Sequence, residues 1–354
     1  MEIYTETIDK SKTLYIGIDV HKTTWHVTII QEEEIRFSGS LTAQWRTLQQ
    51  LLERYRSPGI SCQAVYEAGY FGYWLHDRLE EYGVCCIVTP PSLIPIEYGN
   101  HVKTDRRDSQ KLARLLSKGL LKRVVVPTEQ ERHHRHVVRR RRQLANDRVR
   151  VQNRIKADLR FYGIEFPDCR GRWSTIYLEN LSRLHWNDRW IEESFHRLLE
   201  QYEFLTEQIK KQTQLISELA ETEQYRDRVT LLVSIPGIGV LTAMELLVEL
   251  QDVARFRTAK QLAAYVGLTP SQYSSGDHVR MGRITATGKN RLRGLLIESA
   301  WHLIAKDPAM REKYDAIKLR AGAKRAIVAI ARHLLIRARR LILNRQSYVF
   351  GLVA

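Results

Sequence analysis

No stretch of this chain strings together the roughly 18 apolar residues that a bilayer-spanning helix needs. The opening MEIYTETIDK has no apolar signal-peptide core, so the sequence reads as a cytosolic protein. Cysteine is scarce. Cys62, Cys85, Cys86 and Cys169 show no C-x-x-C spacing, which removes the usual signature of a zinc site. The first three sit in apolar, strand-like runs and read as buried free thiols. His133 to His136 lie in a dense arginine run without acidic or cysteine partners, and read as charge facing nucleic acid. Acidic residues are also in short supply: 40 Asp and Glu stand against 56 Lys and Arg, a formal net charge of +16. That surplus calls for a polyanionic partner, because basic side chains that neutralise phosphates release condensed counterions. Nucleic acid fits it better than an anionic membrane.

With 354 residues, 44% of them apolar, the chain is long enough for two or three domains. From Lys12 to Leu121 strand and helix patterns alternate. LYIGID, WHVTII and EEIRFSG read as strands, then CQAVYE and VCCIVT follow, separated by the amphipathic patterns TAQWRTLQQLLERY and YWLHDRLEEYG. Three close strands followed by helix, strand, helix, strand is the order of an RNase H-like α/β domain. From Pro127 the pattern turns helical and very basic, with an apolar stripe at Leu144, Val151, Ile155 and Leu159. Phe195, Leu198, Tyr202, Leu205, Ile209, Gln212, Ile216 and Leu219 then recur at alternating spacings of three and four, the pattern of a coiled coil or of a long helix packed inside its own chain. The final region opens with LLVSIPGIGVLTAMELLVEL, where Gly237 and Gly239 punctuate two helical runs. Such a turn resembles a helix-hairpin-helix, whose glycines let backbone amides approach a phosphate; the plainer alternative is a tight turn between helices. The expected domains are 12–126, 127–225 and 226–354.

Four acids carry the first chemical signal. Asp19 closes the strand LYIGID, and Glu67 closes CQAVYE in the same manner. A carboxylate among apolar strand neighbours is costly unless a cation neutralises it. Asp105 and Asp108 open a helical run, and their spacing of three puts them on one face, about 5–6 Å apart at Cβ. The plainer reading is two acids favoured by a helix N-terminus and two polar strand ends. Four carboxylates in this order instead suggest a site for Mg²⁺ or Mn²⁺, hard ions that prefer oxygen ligands, in phosphodiester chemistry.

The second signal is GLTPSQYSSG, where Ser274 and Ser275 precede Gly276. A serine hydroxyl needs a base, a metal or a cationic setting to attack phosphate. Arg280, Arg283, Lys289, Arg291 and Arg293 downstream supply that setting, and Arg139 to Arg142 (Arg139, Arg140, Arg141, Arg142) form a second basic run. A P-loop is rejected in GRITATGKN: five residues separate Gly282 from Gly288, and Asn follows Lys289.

The ordered series YIGIDVHK, VYEAG, KTDRRD, SIPGIG, GLTPSQYSSG and GKNRLRGLL resembles the transposases of insertion-sequence family 110 and its 1111 subgroup, over nearly the whole chain. The resemblance implies a RuvC-like N-terminal domain, a coiled-coil middle and a mainly helical C-terminal transposase domain. It implies that Asp19, Glu67, Asp105 and Asp108 are the family's metal-holding acids, and that Ser275, not Ser274, is its nucleophile. It further implies a phosphoserine-linked DNA intermediate, a noncoding bridge RNA that pairs with donor and target DNA, a dimer assembling to a tetramer, and a bacterial, nucleoid-associated setting. Two competing readings are a junction nuclease that uses water and the acids alone, and a non-catalytic RNA- or DNA-binding scaffold.

Overall fold

A computed structural model of the chain describes residues 12–95, 104–165, 173–275, 278–284 and 288–351. Cys169, Gly276 and residues 285–287 of the basic segment after the serines lie outside them. The chain folds as two compact units, Met1–Val126 and Pro127–Ala354.

The first unit is built on a five-stranded sheet of β1 (Thr13–Val20), β2 (Thr24–Gln31), β3 (Glu34–Thr42), β4 (Ser61–Glu67) and β5 (Cys85–Thr89), in the order β3-β2-β1-β4-β5. The first three strands pair antiparallel, whereas β1, β4 and β5 run parallel. Their period-two alternation sorts side chains to two faces. Leu14, Ile16, Ile18, Ala64, Tyr66 and Val88 pack on one side with α1 (Trp45–Tyr55) and α2 (Trp74–Glu81). Tyr15 and Val65 face the other side, where they meet Leu112 and Leu116 of α3 (Asp105–Ser117). This mixed α/β unit is compatible with the RuvC-like domain expected for residues 12–126. One expectation fails: Cys85 is exposed, while Cys62 and Cys86 are buried. Alternation along the edge strand β5 puts Cys86 into the core and turns its neighbour away from it.

The second unit is mostly helical. The long basic helix α4 (Glu129–Phe161) starts with a capping box, Thr128 exchanging hydrogen bonds with Glu131. After α5 (Thr175–Ser182) comes α6 (Arg189–Ala220), which carries the heptad-like stripe. That stripe packs inside the chain. Phe195, Leu199, Tyr202 and Leu205 meet Val151, Ile155 and Leu159 of α4, and further along Gln212 donates to the Val137 carbonyl at 3.0 Å. Late α4 therefore meets early α6, an antiparallel pair. The far end of α6, at Ile216 and Ala220, joins the same core as α7 (Arg226–Val233), α8 (Val240–Leu250), α9 (Ala259–Val266), α10 (Asn290–Lys306), α11 (Pro308–Ala321) and α12 (Ala323–Asn344). That shared core makes residues 127–225 and 226–354 one compact unit. Two strands with no signal in the sequence reading, β6 (Pro270–Ser275) and β7 (His278–Ile284), pair antiparallel as a hairpin. Among the described residues, no helix is long and apolar enough to cross a membrane.

Candidate active site

The carboxyl ends of the parallel strands assemble the acidic cluster. Ile18 pairs with Tyr66, so the residues that follow, Asp19 and Glu67, leave the same edge of neighbouring strands. Since Ile18 and Tyr66 face the α1/α2 core, alternation aims Asp19 and Glu67 towards the α3 side. Helix α3 begins there. Thr104 caps it by accepting from the Arg107 amide at 3.3 Å, and Asp105 and Asp108 occupy its first turn, where the helix dipole favours negative charge.

What lets α3 approach is a glycine. A Cβ on Gly17 would lie 2.1 Å from the Ser109 carbonyl oxygen and 2.6 Å from the Ala113 amide nitrogen, so only hydrogen fits at this position of β1. The same interface is pinned by a buried hydroxyl pair, Ser109 Oγ to Thr28 Oγ1 at 2.8 Å, with Ser109 also donating to the Arg106 carbonyl at 3.0 Å.

Asp19, His21 and Asp105 converge, each offering a ligand atom within 4.8 Å of the others. His21 Nε2 lies 3.2 Å from Asp19 Oδ2 and 3.5 Å from Asp105 Oδ1. Burial pushes the Asp19 carboxyl above its ordinary range; His21 opposes that shift, and the charges of Asp105 and Asp108 add to it. A half-buried carboxyl held up by desolvation and neighbouring carboxylates is one that a cation would relieve. Oxygen donors plus one imidazole suit a divalent ion such as Mg²⁺ or Mn²⁺, the imidazole suiting the second better. Glu67 is exposed at the adjacent strand end, and Asp108 sits one turn along α3; both lie outside the three-residue group. Sequence reasoning named the four acids and missed His21, Gly17, Ser109 and Thr28. The VHK after the strand carried the first of these in plain view.

In the second unit, Ser275 ends β6. It pairs with His278 in the last rung of the hairpin ladder, and Ser274 pairs with Val279. Glycines close the hairpin's feet. Gly288, at φ +100°, presses on Gly267, and a Cβ there would come within 2.7 Å of the Gly267 amide nitrogen. Arg293 ties both feet, donating to the Gly267 carbonyl at 3.2 Å and to Asn290 Oδ1 at 2.8 Å. Arg280 and Arg283 are exposed on β7, with the exposed Tyr273 opposite Arg280.

The other basic residues make protein contacts. Arg139 grips Glu249 with two bonds of 2.6 and 2.9 Å, and Lys289 reaches the same carboxylate at 3.2 Å. Arg142 and Arg291 share Glu245 at 3.1 and 2.9 Å. Arg141 donates to Thr213 Oγ1 at 2.7 Å, and the exposed Arg140 to Gln143 at 3.4 Å. Gly237, at φ +91°, lets the turn lie against α10: a Cβ there would meet the Ser299 carbonyl oxygen at 2.6 Å. Gly239 caps α8 and opens on space.

Comparison with known proteins matches two segments of the chain, the first of which runs from the first unit through α4 of the second. Residues 16–164 match the IS110 DEDD family, described as Transposase, and residues 229–315 match the Transposase IS116/IS110/IS902 family. The Sinorhizobium fredii protein y4qE, which carries the name of a transposase, is 30% identical over 293 residues, covering 81% of this chain and 71% of that protein. The transposase for insertion sequence element IS1533 of Leptospira borgpetersenii is 27% identical over 90% of this chain and 93% of its own length. That for IS1111A of Coxiella burnetii is 25% identical over 77% and 75%.

Proposed function

This chain belongs to the IS116/IS110/IS902 family of transposases, and on that premise we propose that it is an RNA-guided DNA recombinase working through a phosphoserine intermediate. The observation that carries the reading is the convergence of Asp19 and Asp105, with His21, at the carboxyl edge of the parallel strands. Asp19, Glu67, Asp105 and Asp108 are the residues to hold Mg²⁺ or Mn²⁺. When bound, such an ion supplies charge to stabilise the attacking and leaving oxygens of an in-line displacement.

The chain's own residues do the rest. Ser275 Oγ attacks a DNA phosphorus; a serine–phosphate ester forms, the bond to one deoxyribose oxygen breaks, and that oxygen leaves with a proton as a hydroxyl. The serine proton passes to a carboxylate or to water. One phosphodiester is exchanged for another, so no energy-rich cofactor is needed, and reversal by a different strand's hydroxyl completes the exchange. The exposed Arg280, two rungs from Ser275, and the exposed Arg283, farther along β7 near Ser271, bind the backbone in this reading, with Gly239 offering a helix N-terminus and Arg293 bracing the hairpin. A noncoding bridge RNA supplies sequence choice by pairing with donor and target DNA, and a dimer or tetramer of the chain supplies more than one site.

The test is strand exchange between donor and target duplexes in the presence of RNA transcribed from the element's flank and Mg²⁺. Asp19→Asn and Ser275→Ala should each abolish exchange while RNA binding persists. Full exchange by Ser275→Ala would remove the nucleophile, and exchange that survives chelation of divalent ions would remove the metal.

A further inference from the structure

Helix α8 is mostly apolar but carries two glutamates one turn apart, Glu245 and Glu249, and both are buried. Their side chains are only 11% and 5% exposed. Each is held by one arginine of α4 and one cation at the start of α10: Glu249 by Arg139 and Lys289, Glu245 by Arg142 and Arg291. Two buried carboxylates that merely balanced two cations would be a structural ion pair. Here the cations outnumber them. Four cationic side chains contact the two carboxylates directly, and the further acid that acts on Arg291, Glu298, is exposed. The surplus faces outwards, because Arg139, Arg142, Lys289 and Arg291 remain 41, 30, 36 and 48% exposed.

The carboxylates restrict these cations in direction. The Glu249 carboxylate takes Nε and one terminal nitrogen of Arg139, and Glu245 does the same to Arg291 at 2.9 and 3.3 Å. The Lys289 nitrogen lies over the Tyr265 ring, 5.9 Å from its centre. The Arg291 guanidinium, fixed along one edge, presents its other terminal nitrogen in a set direction, and a phosphate docking there does not have to order a flexible side chain first.

We infer that Glu245 and Glu249 orient Arg139, Arg142, Lys289 and Arg291 into a preorganised receptor for the phosphate backbone of a nucleic acid. Glu245 and Glu249 are positioning residues, and the cations they hold touch the phosphates. The inference rests on reading the chain as a nucleic-acid enzyme and adds the acids that such a reading would count as unfavourable. The shared chemistry is the phosphodiester, whether of DNA or of RNA.

The experiment uses the full chain and labelled random-sequence duplexes of DNA and of RNA of equal length, with affinity followed by fluorescence anisotropy across a salt series. Glu245→Gln with Glu249→Gln removes two negative charges and leaves the shape. Orientation predicts that affinity for at least one duplex falls about tenfold, the loss of one charge-assisted contact, and that the salt dependence flattens. Bulk electrostatics predicts tighter binding, so unchanged or increased affinity overturns the inference alone. Arg139→Lys with Arg142→Lys keeps the net charge and loses the fork; a similar fall is expected, and this variant decides should the glutamine variant not fold. Wild type that binds neither duplex would overturn the functional reading and this inference with it.

Discussion

Gly17→Ala adds one carbon to the centre of β1 and should damage both the fold and the site. A new Cβ would sit 2.1 Å from the Ser109 carbonyl oxygen and 2.6 Å from the Ala113 amide nitrogen. Both are backbone atoms of α3, so no rotamer change relieves the clash and the helix itself must retreat. Two effects oppose each other. Alanine in a strand interior is favoured over glycine by roughly 0.5–1 kcal/mol through the unfolded chain, whereas overpacking costs roughly 1–3 kcal/mol and more when backbone must move. The clash wins, leaving a net destabilisation of about 2 kcal/mol. The retreat carries Asp105 and Asp108 away from Asp19, and a misplacement of about 1 Å near reacting groups is worth on the order of 10²-fold in rate. The assays are a thermal melt of the full chain and the strand-exchange rate. Gly39→Ala in β3, two strands away, is the control, because the nearest atoms its Cβ would meet belong to the movable Phe37 ring, at 2.9 Å. Wild-type melting and exchange by Gly17→Ala would refute the claim that close approach of α3 builds the site.

Three further outcomes follow from the geometry. Mn²⁺ binding, read from the free-ion EPR signal, should weaken by at least about tenfold in Asp19→Asn and by less in His21→Ala; equal binding by wild type and both variants would dissociate the ion from this cluster. The Glu249 carboxyl is opposed by burial, yet Arg139 and Lys289 bring it down to about 2 from an ordinary 4.5. Its ion pairs therefore stabilise the second unit fully above about pH 4.5 and are lost as pH falls towards 2, a contribution of about 3 kcal/mol. The stability gap between wild type and Glu249→Gln should close over that range, and a gap independent of pH would contradict the assignment. Gly237→Ala should destabilise by roughly 1–3 kcal/mol, because it strains a positive φ and presses on the α10 backbone; an unaltered melt would show that the turn can move.

Much of the first unit was legible in the sequence because its signals are local. Strand alternation in LYIGID and CQAVYE sorts core from site, and the apolar residues of α3 mark its docking face. The roles of Gly17 and Ser109 were not legible, since each depends on a helix some ninety residues away or on a strand partner. In the second unit periodicity found α4 and α6 but left open whether they pack on each other, because a heptad stripe does not name its partner. The arginine run suggested charge facing nucleic acid. Glu245 and Glu249, buried in an apolar helix, turn Arg139 and Arg142 towards the protein as well, a pairing made across more than a hundred residues of chain. The hairpin was missed because Pro270 and a short polar strand carry little β signal.

The most direct measurement is a denaturing gel of the purified protein, flank-derived RNA, labelled donor and target duplexes and Mg²⁺, with wild type beside Ser274→Ala and Ser275→Ala. The account predicts an RNA-dependent protein–DNA adduct in wild type and in Ser274→Ala that is absent in Ser275→Ala. Cleaved DNA without an adduct in any lane would contradict it and leave a nuclease that uses water and the acids of the first unit alone.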